Sequence, residues 1–95
     1  MTPSELLLHA HRSALAAMIA ANKAADVDVP GRFMLDGHTA RAERLIAQID
    51  RELSAPAFIP VGMWNENGRG PLIQSIIRES KKIRETASVV RKAAA

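Results

Sequence analysis

From Ile73 onward the apolar positions recur at alternating spacings of three and four. Ile73, Ile76, Ser80, Ile83, Ala87, Val90 and Ala94 therefore line one side of a helix as a heptad-like seam. Arg78, Lys81, Lys82 and Lys92 project away from it. With Pro71 suited to a first helical position, the pattern predicts a helix over residues 71–92. A second periodic stretch begins at Thr2-Pro3-Ser4-Glu5, where Thr2 caps, Pro3 starts the helix and Glu5 reaches back. From there Leu7, Leu8, His11, Ala14, Leu15, Met18, Ile19 and Asn22 share one face, predicting a helix over 3–25. A narrower stripe of Ala42, Leu45, Ile46, Ile49 and Leu53 predicts a third over 38–54, capped by Asp36 or Thr39.

Two connections remain. Residues 27–37 contain Pro30-Gly31 and Asp36-Gly37, both turn signals, so this stretch reads as a connection whose Phe33, Met34 and Leu35 tuck into the core. Residues 54–70 are long for a connection and rich in apolar groups, with Phe58, Ile59, Val61, Met63 and Trp64 stiffened by Pro56 and Pro60. All three aromatics, Phe33, Phe58 and Trp64, fall in these connections. The second connection either plugs the core or presents a contact surface. As a surface it would offer Phe58, Met63 and Trp64, together with Ile77 of the following helix, to a protein partner.

Composition supports an all-α fold: 47% of residues are hydrophobic, many of them alanine, and only 3% are aromatic. Ninety-five residues suit one domain, here a small three-helix bundle with a long apolar connection between helices 2 and 3. Cysteine is absent, so helix packing must hold the fold together. No uncharged apolar run is long enough for a membrane span, and no basic region precedes the N-terminal leucines, so the expected location is cytoplasmic. The Ala- and Arg-rich composition suggests a bacterial or phage source.

Charge separates along the chain. The net charge is +3, yet Arg69, Arg78, Lys81, Lys82, Arg84, Arg91 and Lys92 face only Glu79 and Glu85 in the last 27 residues. The basic character thus belongs to the third helix, and Arg78, Lys81, Lys82, Arg84, Arg91 and Lys92 form a candidate nucleic-acid-binding face. Glu79 and Glu85 interrupt that face, and no aromatic lies within it. The seam itself has two uses: packing against the other helices, or a parallel homo-oligomer in which Glu79 meets Arg84 of the partner.

Other chemistry is poorly provided for. His9 and His11 point to different sides of their helix and His38 is distant, so no metal site is expected. His11 reads as a partly buried, hydrogen-bonded histidine. Gly68-Arg69-Gly70-Pro71 lacks the residues of a phosphate loop and reads as a turn. The acidic residues form no pair suited to acid–base work. The expectation is a non-catalytic, cofactor-free protein-binding or accessory module, such as a phage or mobile-element inhibitor or assembly factor. Nucleic-acid binding by the basic helix is the alternative.

Overall fold

A computed structural model describes residues 3–54 and 70–94 of the chain, with only the backbone of Gly70, Pro71 and Ala94. Among these residues the fold is all-α: α1 (Pro3–Ala24), α2 (Val29–Leu53) and α3 (Gly70–Ala94) pack against one another. Residues 55–69, which include Phe58, Met63 and Trp64, lie outside the described residues, as does the apolar connection they were expected to form.

Polar contacts fix the directions of the helices. His11 meets Ser80 and Asn22 meets Arg91, so α1 and α3 run parallel. Arg12 meets Asp50 and Asn22 meets Thr39, so α2 runs antiparallel to α1. The result is an up-down-up bundle.

The core sits where the three apolar stripes face each other. Leu8, Leu15 and Met18 of α1 meet Leu35, Ala42, Leu45 and Ile49 of α2 and Ile73, Ile76, Ile83 and Ala87 of α3. From Ile73 to Ala87 the α3 seam read from the sequence is buried within the chain, and Val90 is half-buried. Leu7, placed on the apolar side of α1 by its spacing, is exposed at the edge of that stripe.

The start of α2 differs from the sequence-based expectation by nine residues. Asp28, with φ −70° and ψ 178°, is the N-cap, and its Oδ1 accepts a hydrogen bond from the Gly31 N–H at 2.8 Å. Pro30 sits in the first turn, where its missing N–H leaves no bond unmade. A Cβ on Gly31 would stand 2.8 Å from that same Asp28 Oδ1 and 3.1 Å from the Val27 Cβ, so glycine lets the cap close. Pro30-Gly31 thus opens a helix instead of interrupting one. Asp36 and Thr39, read as caps, lie inside α2, and Thr39 is buried.

The link between α1 and α2 shrinks to four residues, and Arg32 secures it. Its guanidinium donates to the Asn22 carbonyl at 2.8 Å and to the Ala25 carbonyl at 2.5 Å, satisfying C-terminal groups of α1 that have no partner within the helix. Of the three residues expected to fill the core from this stretch, only Leu35 does. Phe33 is 81% exposed and Met34 51% exposed, because helix continuity turns them outward when Leu35 faces in.

Candidate functional site

Two surface regions and two buried clusters concentrate the polar and apolar groups outside the hydrophobic core. The first buried cluster holds a serine–histidine contact, Ser80 Oγ to His11 Nδ1 at 2.9 Å. Arg84 reaches both atoms: its Nη2 lies 3.2 Å from His11 Nδ1 and its Nε donates to Ser80 Oγ at 3.3 Å. A guanidinium only donates, so Nδ1 accepts and the histidine carries its proton on Nε2. Ser80 has no exposed surface, so no substrate can meet its hydroxyl. The trio ties α1 to α3 and is structural.

A second buried junction joins all three helices. Asn22 Nδ2 donates to Thr39 Oγ1 at 3.1 Å, and Arg91 Nη1 donates to Asn22 Oδ1. Arg84 and Arg91, counted as surface cations in the sequence, therefore serve the core. Arg78, Lys81, Lys82 and Lys92 are exposed. Ile77, expected on a partner-facing surface, is 8% exposed and belongs to the core, because α3 turns more than its heptad seam inward.

The first surface region is apolar. Val29, 83% exposed, Phe33 and Met34 project from the first turns of α2, and Val89, 67% exposed, projects from the last turns of α3. Between Met34 and Val89 runs a groove of about 360 Å³, lined also by Val90 and Ala93 and by Asp28, Pro30 and Gly31 at the start of α2. Beside it, Gly37 leaves a notch bordered by Phe33, Met34, His38 and Arg41. A Cβ on Gly37 would meet nothing within 4 Å, so no packing within the described chain requires glycine there. A mid-helix glycine costs about 1 kcal/mol relative to alanine.

The second region adjoins it through His38 and Arg41. A groove of about 400 Å³ between α2 and α3 is lined by these two residues and by Ser75, Arg78, Glu79 and Lys82, among others. The Nδ1 atom of His38 is buried and has no hydrogen-bond partner among the described residues. Arg41 adds a cation from α2 that the reading of the basic helix alone missed; it is one turn from Gly37 on the same side, a signal available only once α2 is known to be continuous.

Both buried-edge histidines titrate below the usual 6.5. Desolvation is the main cause for each, reinforced at His11 by Arg84 and Lys81 and at His38 by Arg41. In the unfolded chain these imidazoles take up a proton near pH 6.5 while the folded chain resists it, so stability is whole above that pH and falls as pH drops below it. The midpoint of thermal unfolding is expected to fall between pH 7.5 and about 5. His11→Gln should flatten that slope; an unchanged slope would show that His11 binds its proton equally in both states. The Asp50 pKa is lowered too, held below the ordinary carboxylate range by the hydrogen bond from Arg12, which for a carboxyl favours the charged form; both of these side chains are partly exposed.

Among the described residues no three His, Asp or Glu side chains come together in a metal-binding group, and no helix is long and apolar enough to cross a membrane. The chain matches no protein-family model, no curated protein and no solved structure.

Proposed function

We propose that this chain is a non-catalytic helical protein-binding module whose apolar end surface, formed by Val29, Phe33, Met34 and Val89, docks a second copy of the chain. The observation that carries this reading is Phe33, an aromatic side chain 81% exposed on a helix whose neighbouring turn is anchored in the core by Leu35. Apolar clusters of this kind mark contact sites, and aromatic anchors supply much of an interface's affinity.

Charge favours the second copy as occupant. The α2 side of the surface carries Asp28 at the groove and Asp36, which lies 3.6 Å from Arg32. On the α3 side Val89 also borders a pocket that Lys92 lines together with Lys81, Arg84 and Glu85, which leaves that side net basic. A two-fold interface sets the acidic side of one copy against the basic side of the other, and it opposes the N-terminus of α2 to the C-terminus of α3. Each surface thus complements itself. Gly37 would let the facing helix approach closely beside Phe33.

Sedimentation equilibrium tests this directly. The full chain is expected to dimerise in the micromolar range, and Phe33→Asp should weaken dimerisation by at least about thirtyfold, as loss of a hot-spot side chain does. Helicity should be unchanged, since Phe33 contributes little to the core. A chain that stays monomeric up to hundreds of micromolar, or a Phe33→Asp variant that dimerises like the parent, overturns the proposal.

A further inference from the structure

The groove between the middle of α2 and the middle of α3 is independent of the apolar surface in its chemistry. Arg41 enters it from α2, and Arg78 and Lys82 enter it from successive turns of α3. None of the three side chains makes a hydrogen bond or ion pair among the described residues, unlike those of Arg12, Arg32, Arg84 and Arg91, which are all engaged. Glu79 lines the same groove, yet its carboxylate makes no ion pair within 4.0 Å with any of their charged nitrogens. Like charges one turn apart destabilise a helix, and a third cation from the neighbouring helix adds to the repulsion. Glu79 is the one carboxylate among the lining residues, so the groove keeps an excess of positive charge.

We infer that the α2/α3 groove is a phosphate-binding site, in which the guanidinium groups of Arg41 and Arg78 and the ammonium group of Lys82 hold the oxygens of one phosphate, free or carried on a nucleic-acid backbone. The donor set fits that ligand better than a carboxylate. Two guanidinium forks and an ammonium group offer more charged donors than two carboxylate oxygens can accept, whereas free phosphate presents four oxygens and a phosphomonoester three; the phosphodiester of a nucleic-acid backbone, with two free oxygens, would engage fewer of these donors. Ser75 adds a hydroxyl to the lining, and His38 places an imidazole with an unpartnered nitrogen at its wall. The charged groups that share the groove with His38 are Arg41, Arg78, Lys82 and Glu79, and Arg41 adds to the desolvation that holds its pKa down; a bound anion would offset that cation and so would ease protonation of His38.

The test is a nuclear magnetic resonance titration of the full chain with inorganic phosphate at constant ionic strength, following the His38 ring, with sodium chloride as the control. A fifteen-nucleotide poly-dT strand forms a parallel arm. Saturable movement of the His38 signals is expected, with a rise in the pH at which His38 titrates. Arg41→Gln and Arg78→Gln should each weaken the apparent affinity about tenfold, the loss expected for one charge-assisted hydrogen-bonding group. Both residues are exposed, so the variants should keep the parent's helicity; Lys82→Gln gives a third, independent readout. Saturation by inorganic phosphate alone assigns the site to a free phosphate compound. Saturation by the oligonucleotide, weakened by the same substitutions, assigns it to a nucleic-acid backbone. If neither ligand saturates, if chloride reproduces the shifts, or if the glutamine variants respond like the parent, there is no phosphate site in this groove.

Discussion

Leu35→Ala is expected to destabilise the fold by about 2–5 kcal/mol, while Phe33→Ala, two residues earlier and a larger truncation, should change stability by no more than about 0.5 kcal/mol. Leu35 has no exposed surface and joins the cluster that includes Leu8, Leu15 and Ile76, so its removal forfeits burial and leaves a cavity between helices. Phe33 already faces water over most of its surface. Urea unfolding of both variants, at concentrations where the chain is monomeric, measures the contrast. The opposite ranking would place Phe33 in the core and Leu35 outside it, which requires α2 to begin after Gly37.

That contrast also marks where the sequence was legible. The stripes of α1 and α3 could be read because leucine, isoleucine and methionine occupy most of their inward positions, and the seam from Ile73 to Val90 is buried or half-buried as its spacing requires. The first third of α2 could not be read that way. Its inward positions are Gly31, Leu35 and Thr39, of which only one looks apolar, and its start carries proline and glycine, which open helices and form turns alike. What decides between the two is the Asp28 cap. An Asp two residues before Pro30 and three before Gly31 satisfies the N3 donor, and the pair then belongs to a first turn.

The polar half of the core was visible only as single residues. His11, Asn22 and Ser80 each fall on an apolar face by spacing, so their burial followed from the helical pattern. Their partners did not, because pairing residues 69 positions apart depends on how far α3 is shifted along α1. For the same reason Arg84 and Arg91 resembled the exposed lysines beside them. Arg41 was left out of the candidate nucleic-acid-binding face because its significance lies across a groove, opposite Arg78 and Lys82. Spacing along one helix reports a face; it does not report what the next helix places against it.

The three-helix junction at Asn22 should prove the most sensitive polar site. Asn22→Ala is expected to lower stability by about 2–4 kcal/mol, since it removes the bonds to Thr39 and from Arg91 and strands both partners. Asn22→Leu restores volume but still leaves Thr39 Oγ1 and the Arg91 guanidinium unpaired, so most of the loss should remain. Replacing the whole set, as Asn22→Leu with Thr39→Val and Arg91→Met, should recover most of it, because an apolar layer without stranded polar groups is often as stable as a paired one. A double-mutant cycle between Asn22 and Arg91 should show coupling of about 1 kcal/mol or more. Strict additivity would mean that the two side chains do not act together. Coupling without recovery in the triple variant would point to register: asparagine and arginine at these positions would then align α1 with α3 in a way that an all-apolar seam, tolerant of sliding, does not.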